Sequence, residues 1–250
     1  MLSEDASAFS DLLGVSSNYK AVCAIDFGTT GIGLAYSFQT QISDPQHEIS
    51  VFSTWPLAGA GKTASAILIK DNKCVSFGSK AVEKVSTLRT KDRKEHIYLQ
   101  HFKMALYAET NVNERTKLTD QVSRKSILAV EVIRLCLVEV KNVFLEEANN
   151  KGFSIFGKDV LWVVTVPAIW KESAKKLMRR AAEMAGMKNL RIVLEPEAAS
   201  TWVLSLTENR KADKLKKGDV FIVADCGGGT IDVTVHELTS GTDSTVKESM

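Results

Sequence analysis

The sequence predicts an α/β fold in which a mixed sheet is flanked by helices. Three observations carry that expectation. A strand, glycine turn and second strand occur twice, near residue 26 and near residue 225, each headed by an aspartate that closes an apolar run. Between the copies, Val160 to Val166 is apolar except for Thr165, as suits a strand covered on both faces. The stretches on either side of that run carry apolar residues every three or four positions, the spacing of amphipathic helices.

In the first copy, Ala21 to Ile25 lead to Asp26, then Phe27-Gly28-Thr29-Thr30-Gly31, then the apolar Gly33 to Phe38. In the second, Phe221 to Ala224 read as a buried strand. Asp225, Cys226, Gly227, Gly228, Gly229 and Thr230 come next, and then an alternating strand from Ile231 to Val235. Three adjacent glycines weaken a strand, so they mark a place where backbone turns sharply or approaches another group. Consecutive bare N–H groups in such a turn form an anion nest. With a threonine hydroxyl and a carboxylate able to hold a cation through water, the combination suits a magnesium-bound phosphate chain. A plain glycine-rich hairpin is the bland alternative. The duplication argues against it, because two such hairpins can face each other across a cleft.

Residues 1–19 read as a mobile tail, in which Leu2, Phe9, Leu12 and Leu13 could line a short helix. Ile49 to Ser53 is expected as a third strand. Gly61-Lys62-Thr63 imitates the end of a Walker A loop, but Pro56 stands where that motif has glycine. Ala64 to Gly78 read as two short strands around an Asp71-Asn72 turn, so the Gly-Lys-Thr stretch is taken as a loop feeding a strand. Residues 80–120 read as mixed helix and loop, with Lys84 to Lys94 as a solvated basic face. Ser126 is expected to cap a long helix through Ala148 whose core face is Ile127, Val130, Ile133, Leu137, Val140 and Phe144. Pro167 ends the 160–166 strand. A helix from about Lys171 to Ala185 stops at Gly186. Arg191 to Leu194 forms a short strand, Glu195-Pro196-Glu197-Ala198-Ala199 opens another helix, and residues 209–218 are a polar link.

Composition narrows the function classes. The net charge of +2 gives no argument for nucleic acid. No apolar run reaches the roughly 18 residues of a membrane span, and the acidic start lacks the basic and apolar regions of a secretory signal. Cys23, Cys74, Cys136 and Cys226 form no C-x-x-C and read as buried positions in a reducing compartment. His96 and His101 have no metal-ligand spacing and default to the surface.

Four stretches in order, D-F-G-T-T-G, V-T-V-P-A-I-W, L-E-P-E-A-A and D-C-G-G-G-T-I-D-V, resemble the heat-shock 70 kDa family within the actin, sugar-kinase and chaperone ATPase superfamily. The resemblance runs from Ala21 to about Leu238. V-P-A-I-W-K and H-F-K-M-A-L-Y are similar to the divergent 12A/12B group of that family. It implies an actin-like (ribonuclease H-like) ATPase fold, with ATP or ADP and Mg2+ as cofactors and potassium as a further candidate ion. By resemblance, Asp26 and Asp225 hold hydrated magnesium. Gly28, Thr29 and Thr30 on one side, and Gly227, Gly228, Gly229 and Thr230 on the other, grip the β- and γ-phosphates. Lys103 corresponds to the catalytic lysine, Glu195 to the glutamate beside the attacking water, and Asp225 joins them as a catalytic residue. Pro167 corresponds to a proline that signals nucleotide state between domains, and Lys175 stands where the family has arginine. The plainer alternatives are a surface helix lysine for Lys103 and a dipole-favoured acid at a helix N-terminus for Glu195.

The resemblance divides the chain into a tail (1–19), a first ATPase lobe (20–206, with an insertion at about 53–125), a link (207–217) and the start of a second lobe (218–250). Lobe one is expected complete and lobe two truncated, leaving a fragment inactive alone. The expected function is ATP binding and hydrolysis as the nucleotide-binding domain of a chaperone-like protein. Protein clients or co-chaperones are the expected partners, nucleic acid is not, and the expected setting is the cytoplasm or nucleus under stress. A non-catalytic nucleotide- or partner-binding scaffold is the alternative, with a sugar kinase-like phosphotransferase behind it.

Overall fold

A computed structural model describes residues 19–39, 49–59, 61–108, 112–208, 215–238 and 246–249. The short helix expected near the N-terminus, the tail up to residue 18 and residues 209–214 of the link lie outside the described residues.

The principal sheet begins with β1 (Ala21–Phe27) and β2 (Gly31–Phe38), an antiparallel pair in which Asp26 faces Gly33. Next come β3 (Ser50–Val51) and β4 (Lys62–Ala64), both pairing with β2, and then β5 (Ala66–Lys70) and β6 (Lys73–Phe77). The expected turn at Asp71 and Asn72 joins β5 to β6, both residues having left-handed φ (50° and 58°). Helices α1 (Ser79–Thr87) and α2 (Thr90–Glu95) lead to β7 (Ile97–Gln100), which completes a small sheet in the order β6-β5-β7. Helix α3 (Lys103–Ala108) and the hairpin of β8 (Lys117–Thr119) and β9 (Ser126–Leu128) precede the long α4 (Ala129–Asn150). The chain continues through β10 (Val160–Val166), α5 (Glu172–Met184), β11 (Leu190–Leu194) and α6 (Glu195–Glu208). Strands β10 and β11 extend the sheet in parallel beside β1, giving the order β11-β10-β1-β2-β3.

The core lies between this sheet and helices α4 and α5. Val132, Ile133, Cys136, Leu137, Val140 and Phe144 are buried along α4, and Phe144 meets the fully buried Trp162 of β10 edge-on at 5.6 Å. Strand β10 is buried on nearly every residue because it is central and covered on both faces. Among the described residues, no helix is long and apolar enough to cross a membrane.

Several expectations need correction. Ser126 does not cap α4. It lies in β9, where its hydroxyl is 2.8 Å from that of Thr119, and Leu128 occupies the cap position without a side-chain bond. The basic face is not solvated throughout. Arg93 makes a two-pronged ion pair with the buried Asp120, at 2.7 and 2.8 Å. Burial pushes the Asp120 carboxyl up, but Arg93, the Ser123 hydroxyl and the backbone N–H groups of Val122 and Ser123 outweigh it and hold the group well below the usual carboxylate range. His96 is buried, its Nδ1 2.7 Å from the Asp92 carbonyl oxygen.

A second sheet contains β12 (Val220–Cys226), β13 (Ile231–Leu238) and β14 (Val246–Ser249), all antiparallel. The apolar run 221–224 is not buried as expected. Alternate residues of β12 are exposed, and cross-strand pairing puts Val220, Ile222 and Cys226 on one face with Ile231 and Val233. Ile222 is 66% exposed and Ile231 70%, because nothing among the described residues covers that face. Cys226 is therefore exposed rather than buried, and Cys74 is half-buried.

Candidate functional site

The two hairpins are congruent in detail. In each, the last paired residues (Phe27 with Ile32, Cys226 with Ile231) enclose a four-residue loop. Each loop is closed by the same bond, from Gly28 N–H to Gly31 O at 3.0 Å and from Gly227 N–H to Thr230 O at 2.9 Å. The aspartate sits one residue before the closing pair in both, with Asp26 opposite Gly33 and Asp225 opposite Asp232. Glycine is required at the start of the first loop, where a Cβ on Gly28 would lie 2.5 Å from the Gly31 carbonyl oxygen.

The loops meet at their tips. A Cβ on Gly228 would collide with the Thr30 hydroxyl, and one on Gly229 would fall 2.7 Å from the Thr29 methyl. Threonines of one hairpin thus rest on bare backbone of the other. Ser65, directly after β4, braces the first loop by donating its hydroxyl to Gly28 O at 2.6 Å and its N–H to Thr30 O at 3.0 Å.

Helix α3 lines the seam. Phe102 packs on Phe27 and sets the helix start beside β1. Lys103 then turns inward and is 2% exposed, its ammonium 2.7 Å from Glu195 Oε1 and 5.4 Å from the centre of the Trp170 ring. Met104 reaches the Gly229 position. Tyr107, one turn on, stacks edge-on against Trp170 and donates a long 3.5 Å bond to Asp232 in the other hairpin. Burial raises the Tyr107 phenol well above its usual range. The Trp170 indole N–H is buried without a hydrogen-bond acceptor among the described residues.

Glu195 opens α6 and is partly buried. Desolvation raises its carboxyl, Lys103 pulls it back down, and the charges of Asp26 and Asp225 push it up again. Three carboxylates and a lysine from β1, β12, α6 and α3 therefore share one electrostatic neighbourhood. The structure brings Asp26, Thr29, Thr30, Lys103, Glu195, Asp225, Gly228 and Gly229 to this seam. Pro167 is buried just beyond β10, and its carbonyl accepts the Trp170 backbone N–H at 3.2 Å. Lys175 stands apart from the cluster's ion pairs. Its ammonium lies 3.1 Å from Glu172, one turn earlier on α5.

Sequence reasoning gave Lys62 no place beside Asp26. Its ammonium is 2.5 Å from Asp26 Oδ2, and its stem covers Gly31 and Gly33. The available signal was the G-K-T-A-S stretch itself, whose Lys62 and Ser65 both address the first hairpin. Trp170, in V-P-A-I-W, entered only as a family marker.

Among the described residues, no three His, Cys, Asp or Glu side chains cluster closely enough to ligate a metal directly. The donors present are carboxylates and hydroxyls along the seam between the hairpins. They fit a magnesium ion that keeps its waters, as that ion prefers. Asp225, which has no ion pair with a described residue, suits that role better than Asp26, already matched by Lys62.

A helix-flanked mixed sheet whose glycine hairpin meets the matching hairpin of a second sheet is the architecture of the actin-like ATPase fold. The Hsp70 protein family profile matches residues 80–248, and the chain belongs to that family. It is 32% identical over 281 residues to heat shock 70 kDa protein 12B of Homo sapiens, covering 88% of this chain and 40% of that protein. Heat shock 70 kDa protein 12A of Homo sapiens is 32% identical over 280 residues, covering 88% and 41%. Chaperone protein DnaK of Mycoplasmopsis agalactiae is 32% identical over 127 residues, covering 51% and 19%. The chain thus spans about 40% of the length of the 12A and 12B relatives.

Proposed function

We propose that this chain supplies the phosphate-gripping half of an Hsp70-type nucleotide site, and that the longer protein binds magnesium-ATP there and hydrolyses it in chaperone-like work on protein clients. The observation that carries this reading is the pair of congruent four-residue loops meeting tip to tip beside a buried Lys103–Glu195 pair. Phosphoryl transfer to water needs positioning and charge neutralisation rather than covalent help. The loop N–H groups and Thr29, Thr30 and Thr230 would hold phosphate oxygens. Asp225, and Asp26 to a lesser degree, would hold the waters of magnesium, which when bound neutralises phosphate charge. Lys103 would stabilise charge developing on the terminal phosphate, and Glu195 would orient the attacking water. Residues 20–206 would form lobe one, 207–217 the link and 218–250 the opening of lobe two. Pro167, bonded to the Trp170 backbone, would relay nucleotide state, with Lys175 a weaker relay because an ammonium lacks the planar fork of a guanidinium. The cytoplasm or nucleus, under stress, is the setting this reading favours.

The test uses a full-length relative. Asp225→Ala should abolish magnesium-dependent ATP binding in calorimetry, and Lys103→Ala should lower turnover by about 10² with little change in affinity. Undiminished magnesium-ATP binding by Asp225→Ala would refute the metal assignment. A second reading, a non-catalytic nucleotide- or partner-binding scaffold, draws support from the loop tips touching each other and from Lys62 sitting on Asp26. Binding without turnover would favour it.

A further inference from the structure

We propose that Tyr107 is a positioning residue of the phosphate site: from across the seam its hydroxyl holds Asp232, which fixes the second loop against α3 and frees the Thr230 hydroxyl for a phosphate oxygen. This rests on the proposed nucleotide reading. Tyr107 stands one helical turn after Lys103, so the two side chains share a face of α3. Lys103 is anchored on its own side of the seam by Glu195, at 2.7 Å. Tyr107 reaches the other hairpin, where its Oη lies 3.5 Å from Asp232 Oδ2. Between them, the Met104 sulfur would lie 3.3 Å from a Cβ on Gly229, so the helix follows the second loop along its length. The phenol is aimed by Trp170, edge-on at 6.2 Å, whose indole also faces the Lys103 ammonium at 5.4 Å. The indole N–H has no acceptor among the described residues, so Trp170 aims the ring by packing and does not compete for Asp232. Burial keeps the phenol protonated, and it remains a donor.

The second loop shows what that donor is for. Asp232 lies directly opposite Asp225, which puts both carboxylates on one face of the hairpin, away from the exposed Ile222 and Ile231. Like charges facing each other repel, so Asp232 gains from a donor that holds it in place. Two hydroxyls address its Oδ2, Thr230 at 3.4 Å and Tyr107 at 3.5 Å. A threonine has one O–H to give. While that hydrogen goes to Asp232, it cannot go to a phosphate oxygen. Tyr107 supplies the replacement, keeping Asp232 satisfied when Thr230 turns toward phosphate. Both bonds are long, as is common before a ligand arrives, and the Tyr107 bond should tighten when Thr230 leaves.

The experiment uses this chain and two measurements. One is calorimetric titration with magnesium tripolyphosphate, which needs no adenine pocket. The other is hydrogen exchange of residues 227–230 in the ligand-free chain. Tyr107→Phe keeps the ring on Trp170 and removes the hydroxyl alone. Its affinity should fall about fivefold to tenfold, the size of one hydrogen bond to a charged group. Exchange at 227–230 should speed up about threefold or more, with the β1–β2 hairpin unchanged. Thr230→Val should weaken binding about tenfold in wild type. In the Tyr107→Phe background it should weaken binding by less than about threefold, because the Thr230 hydrogen is already committed to Asp232 there. A side chain that merely fills space would give losses that multiply. Tyr107→Phe matching wild type in loop exchange or in affinity, or losses that multiply, overturns the inference and leaves the nucleotide reading standing. Wild type failing to bind magnesium tripolyphosphate overturns both.

Discussion

Replacing Lys103 by methionine keeps the stem's volume but strands Glu195, already partly buried, without its cation. The carboxyl can escape by taking a proton, and that limits the damage. Neutralising an ordinary glutamate at about pH 7 requires roughly 2.7 pH units at about 1.4 kcal/mol each, a ceiling near 3.7 kcal/mol. We expect about 3 kcal/mol in the variant, within the range for breaking a buried pair by removing one partner. For a chain of this size that is a fall of about 6–12 °C in Tm. The sign comes from proton linkage. The folded carboxyl is raised above its unfolded value, so the folded variant binds a proton that the unfolded chain lacks. Stability is then fully present below the ordinary glutamate range and lost as pH rises through the folded value. The deficit relative to wild type should shrink by about 1.4 kcal/mol per unit on acidification from pH 7. Urea titration of wild type, Lys103→Met, Glu195→Gln and the double variant at several pH values measures this, and the double variant should be more stable than Lys103→Met at neutral pH. A deficit that ignores pH, or a double variant whose loss is the simple sum of the two, would refute the reasoning and make Lys103 a packing residue only.

Two other sites give measurable outcomes. Arg93→Met should cost about 3–5 kcal/mol, because Asp120 is left buried without its guanidinium. Because the folded Asp120 carboxyl is depressed, its contribution is present above the ordinary aspartate range and lost as pH falls through the folded value, so wild type should lose stability on the acid side more steeply than the variant in urea titrations. The exposed apolar strip of β12 and β13 should drive self-association. Ile222→Lys with Ile231→Lys, charges on an uncovered face, should reduce concentration-dependent sedimentation, and a wild-type chain that stays monomeric at high concentration would contradict this.

The hairpins were legible because their signal is local: an aspartate closing an apolar run, then glycines, within about ten residues. The parallel strand β10 and helices α4 and α5 were legible for the same reason, through periodicity and the Gly186 stop. What escaped depends on partners far along the chain. Arg93 looked like one of several basic residues until Asp120, 27 positions later, was placed beside it. Lys62 looked like the end of an imperfect Walker loop because Asp26 lies 36 positions earlier. Ser126 has the chemistry of a cap, but a neighbouring strand took its hydroxyl first. The run 221–224 was read as buried because apolar composition reports a preference for cover and carries no information about whether the cover is at hand.

The order of strands in the main sheet has a consequence for synthesis. β1 finds its antiparallel partner β2 within a few residues, but its parallel partner β10 begins only at Val160, 133 residues after β1 ends at Phe27. At translation rates of about 5–20 residues per second, one edge of β1 stays open for roughly 7–27 s on the ribosome. Cys23, Ile25 and Phe27, wholly buried in the finished fold, wait out that interval without the strand that flanks them. A chain of the Hsp70 family thus has a nascent stage of its own in which an apolar β-edge is on offer, and the rate of elongation between residues 27 and 160 sets how long that offer lasts.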